Sequence, residues 1–282
     1  MRAAVMTHRG GRDTSGALRE LLEVAREREV TLVFDETETV KHNLQEGPGL
    51  EVCAAPSPDG VELCIVLGGD GTILTALRTF AGSEVPVFAV NFGEIGFLAT
   101  LDPDGVREGF GLAFDGRFDT MALPAISLGR PDGSWSAFND ISVHRQAGRR
   151  VADLAYGLGG EEIGRVRCDG LVVSTPAGST GYNLANGGPV LAWGVKGFVV
   201  SFIAPHSFTA RALVVAPDDV LTIHNAARED AAEIHVDGRP TSLLPAGQDL
   251  TVQFARTHAL LAQLPGASFY HRLRERFGRL AR

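Results

Sequence analysis

Lysine is nearly absent from this 282-residue chain: Lys41 and Lys196 are the only two, and neither sits in a motif. A Walker-type loop, which needs a lysine to reach the phosphates, is therefore excluded. Cysteine is scarce as well, with Cys53, Cys64 and Cys168 alone. An odd number of thiols in a chain long enough to bury its own core points to a reducing, cytoplasmic compartment rather than a disulfide framework. None of the three falls in a metal-ligand spacing, and the eight histidines lack an H-E-x-x-H or C-x-x-C companion, which argues against a protein-built zinc site. No stretch approaches the roughly 18 to 20 apolar residues of a membrane span, and the apolar run in residues 1–11 is too short for a signal peptide. Positive charge is in deficit, 26 Lys and Arg against 34 Asp and Glu, for a net charge of −8. Nucleic acid is a poor partner for such a chain, because phosphate neutralisation needs clustered basic residues. One basic cluster exists, Arg272, Arg274, Arg276, Arg279 and Arg282 around the single Glu275, and it reads as a solvated helix face or a docking contact.

What is present is an ordinary globular composition, 44% hydrophobic and 21% charged, with length for one large domain or two. The 34 glycines and 14 prolines are scattered between apolar runs, as turn punctuation and site glycines. From residue 1 to about 118, short aliphatic runs (3–6, 30–34, 63–67, 85–90) alternate with helix-like segments (14–28, 72–80). That pattern predicts an α/β domain built on a Rossmann-like parallel sheet covered on both faces. Asp13 and Thr14 offer an N-cap to the first helix, and Leu18, Leu21, Leu22 and Ala25 repeat at a helical period. Residues 119–264 become all-β, with alternating runs such as 220–224 and 250–254, and predict a sandwich. Residues 265–282 read as a terminal helix with Phe269, Leu273, Phe277 and Leu280 on one stripe.

Four loops have the composition of a site. In the first, a buried strand runs into Gly68, Gly69, Asp70 and Gly71 and then a helix, so backbone N–H groups and a helix N-terminus converge as they do around phosphate. Asp70 is odd there: a carboxylate in a phosphate seat must hold a metal, accept a hydroxyl proton or bond a sugar, unless the segment is only a tight turn. The second, residues 91–98, also ends an apolar strand, and strand carboxyl ends are where open α/β sheets collect ligands. The third is Asn139 with Asp140 inside an apolar strand, where adjacent polar residues point to opposite faces and one must find a partner. The fourth runs from Asp169 to Pro189 and packs small hydroxyls, glycines and Tyr182, a composition suited to sugar hydroxyls and phosphates. No G-x-G-x-x-G follows the first strand, so an ordinary dinucleotide site is not supported. Residues 177–181 miss the nucleophile elbow because Ala177 replaces its first glycine, and the order Ser179, His206, Asp237 is not that of the hydrolases.

Taken together and in this order, Gly68 to Gly71, Asn91 to Leu98, Asn139 with Asp140, Asp169 to Pro189, Pro205-His206-Ser207 with Arg211, and Asp237-Gly238 resemble the NAD kinase family. The likeness covers nearly the whole chain. Gly-Gly-Asp-Gly is shared with diacylglycerol, sphingosine and phosphofructokinase-type kinases, whereas the Gly-Ser-Thr-x-Tyr segment with Gly187, Gly188 and Pro189 is far more specific. The resemblance implies an N-terminal α/β domain, a C-terminal β-domain, an active site between them and a homodimer or homotetramer. It implies transfer of the terminal phosphoryl group of ATP, or in some members polyphosphate, to the 2′-hydroxyl of the adenosine ribose of NAD, giving NADP. By that resemblance Asp70 is the proton acceptor and Gly68, Gly69 and Gly71 the phosphate loop. Asn139 and Asp140 hold the adenosine, and Asp70, Gly71, Arg167, Asp169, Thr180, Gly181, Tyr182, Asn183, Ala185 and Arg239 are further NAD contacts.

Phosphoryl transfer to an alcohol has a loose transition state, so positioning and charge neutralisation do most of the work and a carboxylate takes the proton. With no lysine in these loops, neutralisation falls to backbone N–H groups, to Arg167 or Arg239, and to a divalent cation, Mg²⁺, carried by donor phosphates rather than by a protein metal site. Family members usually have Thr or Ser at Ala177, Ala at Gly181 and Pro at Ala212; the first change removes one hydrogen bond and the second loosens the loop. Alternative readings are a related kinase of a lipid or sugar hydroxyl, or a non-catalytic NADP(H)-binding sensor.

Overall fold

The computed structural model describes residues 1–8, 14–93, 96–130, 133–266 and 268–278. Asp13, Glu94, Ile95, Arg279, Leu280 and Arg282 of the reading above lie outside the described residues. The chain divides into two compact units, residues 1–123 with 258–282, and residues 124–257.

The first unit contains β1 (Arg2–Thr7), α1 (Ser15–Glu27), β2 (Thr31–Asp35), α2 (Glu36–His42), β3 (Leu50–Cys53), β4 (Leu63–Gly68), α3 (Asp70–Thr79), β5 (Pro86–Asn91) and α4 (Val106–Phe114). Its strands are parallel in the order β3-β2-β1-β4-β5. Every residue of β4 and β5 is buried, which is why both read as unbroken apolar runs: helices cover the two faces and leave no polar side. On α1, Leu18, Leu21, Val24 and Ala25 face inward and join Phe34, Leu67, Phe88 and Phe110 in one core. The expected cap on α1 is not made, because Thr14 has φ −98° and ψ 3° and its side chain bonds none of the first N–H groups. Asp35 does cap a helix, accepting from the Glu38 N–H of α2 at 2.7 Å.

The second unit is reached within β6 (Asp119–Arg130). It continues through β7 (Gly133–Ala137), β8 (Asp140–Arg145), β9 (Ala152–Leu158), β10 (Glu161–Cys168), β11 (Gly170–Ser174), a 3₁₀ turn (Gly178–Thr180) and α5 (Tyr182–Ala185). Then follow β12 (Phe198–Ile203), β13 (Leu213–Val215), β14 (Val220–Asn225), β15 (Ala232–Val236) and β16 (Arg239–Leu244). Finally β17 (Asp249–Gln263) carries the chain back to the first unit, where Leu260 and Leu261 lie parallel to Pro86 and Val87, and α6 (Phe269–Phe277) ends it.

Two antiparallel layers build this unit. One is the six-stranded sheet β13-β12-β11-β8-β15-β16, the other the run β10-β9-β14-β17 with β6 pairing β17 and β7. Alternating side chains from both layers, among them Ile141, Val143, Leu171 and Val173 against Leu221, Ile223, Leu250 and Val252, make one core. The expected sandwich is therefore present, and its alternation is what the sequence showed at 220–224 and 250–254.

Candidate active site

In the first unit the site begins where β4 ends. Gly69 caps α3 with extended backbone, and the N–H groups of Thr72 and Ile73 return to its carbonyl at 2.9 and 3.2 Å. Gly68 and Gly69 are dictated by space: a methyl on Gly68 would sit 2.6 Å from Thr72 Oγ1, and one on Gly69 3.1 Å from the Cα of Gly93. Gly71 has open space around it and is exposed on the first turn, where N–H groups have no partner within the helix. Such a backbone can seat an anion.

Asp70 opens α3 half-buried. Its Oδ2 accepts the Phe97 N–H and its Oδ1 the Leu98 N–H, each at 3.2 Å, so the loop after β5 holds the carboxylate from above. Burial pushes the Asp70 carboxyl above the usual range, while the N–H groups of Leu98 and Phe97 and the charges of Arg276 and Arg272 act against that rise. The outcome is a carboxylate less hydrated than a surface one and more basic than its ordinary value, the condition a proton acceptor requires. Asn91 ties the same loop, taking the Gly93 N–H on Oδ1 at 2.8 Å and donating to Asp102 at 3.0 Å.

The second unit holds the other group of residues. Asn139 precedes β8, and its carbonyl accepts the Thr175 N–H at 2.9 Å and the Ser174 hydroxyl at 3.1 Å, which binds the third and fourth loops together. Gly178 lies so close that a methyl there would be 2.1 Å from the Asn139 oxygen. Asp237, which takes a positive φ of 46° after β15, accepts the N–H groups of Phe138, Asn139 and Asp140 at 3.3, 2.7 and 3.3 Å. The clamp of Asp237 on the Asn-Asp pair spans 97 to 99 residues and has no signal in the sequence. Asp140 itself is buried, and desolvation first, with the Asp237 charge second, raises its pKa to about 7.

Tyr182 is 37% exposed, and its ring stacks on His144 at 5.7 Å between centroids and 14° between planes. His144 in turn touches His235 at 4.8 Å and meets Ser142 Oγ at 2.8 Å. Burial, then the neighbouring His235, lowers the His144 pKa, so the ring behind Tyr182 is neutral at pH 7. These two histidines were not singled out by sequence, where a histidine at an alternating strand position gives no signal.

Other expected contacts fall in different settings. Asn183 is fully buried, and its amide donates to the carbonyls of Ser179 and Pro189 at 2.9 Å each, so its side chain shapes the loop. Thr180 bonds the Ala177 carbonyl at 3.3 Å, and Gly181 and Ala185 are exposed on either side of Tyr182 and Asn183. Asp169 is half-buried and paired with Arg145 at 2.6 Å. Arg239 opens β16 opposite Val236. Arg167 lies in the other sheet of the unit, on β10 opposite Asp153, and only its carbonyl reaches toward His206, accepting that N–H at 2.8 Å. Among the described residues no group of three or more His, Cys, Asp or Glu could hold a metal ion.

Two family models cover most of the chain, the ATP-NAD kinase N-terminal domain over residues 18–118 and the ATP-NAD kinase C-terminal domain over residues 138–264. An NAD kinase from Gemmatimonas aurantiaca is 32% identical over 284 residues, covering 99% of this chain and 96% of that protein. One from Lachnoclostridium phytofermentans is 34% identical over 78% of this chain and 81% of its own length. A crystal structure of yeast NADH kinase complexed with NADH superposes with a TM-score of 0.87 at 22% identity over 100% of this chain and 89% of that one, a likeness of fold. An NAD kinase from Archaeoglobus fulgidus in complex with ATP gives 0.75 at 25% identity, over 99% and 98% of the two chains.

Proposed function

This chain belongs to the NAD kinase family and acts as an NAD kinase, and on that premise we propose how its residues divide the work. Asp70 accepts the proton of the 2′-hydroxyl of the adenosine ribose as that oxygen attacks the terminal phosphorus of ATP, and ADP and NADP leave. The observation that carries this assignment is the setting of Asp70: a half-buried carboxylate, raised in pKa by burial, fixed by two backbone N–H groups at the mouth of a glycine loop. Gly68, Gly69 and Gly71 seat donor phosphates on backbone N–H groups. Asn139 and Asp140 hold the adenosine, with Asp237 keeping their backbone in place, and Tyr182 supplies a flat face supported by His144. Asp169, Thr180, Gly181 and Ala185 complete the NAD contacts, while Asn183 acts by shaping the loop that carries them. Residues 1–118 thus serve the donor, residues 119–264 serve NAD, and Phe269–Phe277 form the terminal helix.

Charge on the donor is neutralised by backbone dipoles, by Arg239 or Arg167, and by a divalent cation. That cation, Mg²⁺ in this reading, would be carried by donor phosphates and water. It would supply electrostatic stabilisation of the transferring phosphoryl group. A homodimer or homotetramer in the cytoplasm completes the proposal. Three free thiols fit the compartment, and among the described residues no helix is long and apolar enough to cross a membrane.

The test is NADP formation from NAD with ATP or polyphosphate as donor, in the presence of Mg²⁺. Asp70→Asn should lower kcat by about 10² to 10⁴-fold with little change in NAD affinity. A folded Asp70→Asn protein that turns over at the wild-type rate would remove the proton-acceptor role.

A further inference from the structure

Five arginines at the end of the chain read as a solvated helix face or a docking contact, and for Arg272 the structure shows the second. Arg272 is 8% exposed on α6, packed on the same helix side as Phe269 and Leu273, which are also 8% exposed. Desolvation lowers its pKa to about 10, still far above neutrality, so a charged guanidinium is buried here. A buried charge persists where its donors are satisfied. Its Nη1 donates to the carbonyl of Phe97 at 3.0 Å and to that of Ala99, and its Nη2 to Gln263 Oε1 at 2.7 Å.

The Phe97 carbonyl and the Leu98 N–H are the two ends of one peptide group. Arg272 holds the oxygen end, and the N–H end donates to Asp70 Oδ1 at 3.2 Å. A guanidinium at the oxygen polarises that peptide and makes its N–H a better donor, so charge and geometry pass from α6 to the carboxylate through a single planar unit. One turn further along, Arg276 donates to Asp102 Oδ1 at 3.0 Å, and that carboxylate also takes the Asn91 amide at 3.0 Å. The ring of Phe277 packs on Phe97 at 5.3 Å. The helix thus grips the loop that carries the Asp70 donors at Phe97, Ala99 and Asp102. The charged groups acting on Asp70 from this side are Arg276 and Arg272, with Asp102 between them as counter-charge.

We propose that Arg272 is a positioning residue for phosphoryl transfer: from the C-terminal helix it fixes the peptide that orients the Asp70 carboxylate, with Arg276 as its auxiliary. This rests on the reading of Asp70 as proton acceptor and extends it to a residue about 200 positions away in sequence that acts through a peptide group. A surface helix would only add stability; this one sets the geometry and basicity of the acceptor.

The experiment compares wild type with Asp70→Asn, Arg272→Met, Arg272→Lys and Arg276→Gln in the full-length protein, by kcat, by KM for NAD and ATP, by the pH dependence of kcat, and by thermal unfolding. Arg272→Met should lower kcat by about 10- to 100-fold, as a small misplacement of a reacting group does, while both KM values stay within about threefold. Loss of the positive charge should raise the Asp70 pKa, so the acid limb of the kcat profile moves upward by about half a unit or more. Arg272→Lys keeps a charge without the fork, and should leave the acid limb near wild type while kcat stays reduced. Arg276→Gln should move the acid limb upward with a smaller loss of kcat, and together with Arg272→Lys it carries the test if Arg272→Met does not fold. A folded Arg272→Met protein with wild-type kcat and pH profile would overturn the proposal, as would losses confined to KM or to melting temperature. An active Asp70→Asn protein would instead overturn the acceptor assignment, so the two failures are read from different variants.

Discussion

At Asp140 the proposed hold on adenosine and the stability of the fold pull in opposite directions. Its carboxyl is buried beside Asp237, and its pKa stands at about 7 in the folded chain against 3.8 for the ordinary group. A raised carboxyl pKa means that the folded state holds the proton more tightly than the unfolded one, so stability falls as pH rises from about 4 to about 7 and the whole cost is present above that. For a shift of this size the cost is on the order of a few kcal/mol. Asp140→Asn removes it. The variant should unfold at a higher urea concentration than wild type at pH 8, with the difference fading toward pH 4, while its NAD affinity drops about tenfold or more, measured by calorimetry. Equal urea midpoints at pH 8 would show that the carboxylate is better solvated than its burial suggests. The same residue explains what was legible at this scale. Asn139 and Asp140 stood out because polar residues inside an apolar strand need partners, and Asp70 because glycines flank it between a strand and a helix. Arg272 did not stand out, since a charged residue on an amphipathic helix is ordinarily solvated, and no local pattern reveals a carbonyl pair waiting 173 to 175 residues upstream. Asn183, an NAD contact by resemblance, also donates its amide to two loop carbonyls, a partnership that no spacing in the sequence shows.

Among the elements, α6 shows how a short helix depends on its ends. Ser268 lies in extended backbone before it and accepts the His271 N–H at 3.1 Å, giving the nine-residue helix a side-chain cap. So few turns are marginal without capping and packing. Ser268→Ala should cost about 1 kcal/mol, a fall of about 2–4 °C in melting temperature for a chain of this size. Because α6 carries Arg272, the same change should lower kcat more than it raises either KM, and Ser268→Asp should restore both quantities. Steady-state kinetics beside a thermal melt checks it; an unchanged kcat in a protein that melts earlier would make the cap a matter of stability alone. The stripe Phe269, Leu273, Phe277 was legible from its spacing, and so were the parallel strands, whose aliphatic runs follow from burial on both faces. The extent of β17 was not. Its fifteen residues serve an antiparallel layer through Leu250 and Val252 and a parallel sheet through Leu260 and Leu261, and nothing in an extended run of sequence marks where one partner gives way to the other. Helices α2 and α4 were also missed, one because Thr and Glu make up four of its seven residues, the other because two glycines interrupt its nine.

Over the whole molecule the acidic balance becomes a question of distance. A chain of net charge −8 repels an anionic nucleotide at long range, whereas the glycine N–H groups proposed to seat the phosphates act within a few ångströms. Salt separates the two effects, because the screening length falls from about 30 Å at 0.01 M ionic strength to about 8 Å at 0.15 M. Contacts at hydrogen-bond distance are little altered over that range, whereas repulsion from the rest of the surface is largely removed. The KM for ATP should therefore fall by about two- to threefold as ionic strength rises from 0.01 to 0.15 M at constant free Mg²⁺, with kcat unchanged. The KM for NAD should move less, since its nicotinamide cation offsets part of the phosphate charge. A protein that binds nucleotide through an extended basic surface behaves in the opposite way, losing affinity as salt rises. Initial rates over a salt series distinguish the two. A KM for ATP that climbs with salt would mean that arginines such as Arg239 or Arg167 dominate the donor's approach, and that lysine is scarce for reasons unrelated to how the phosphates are held.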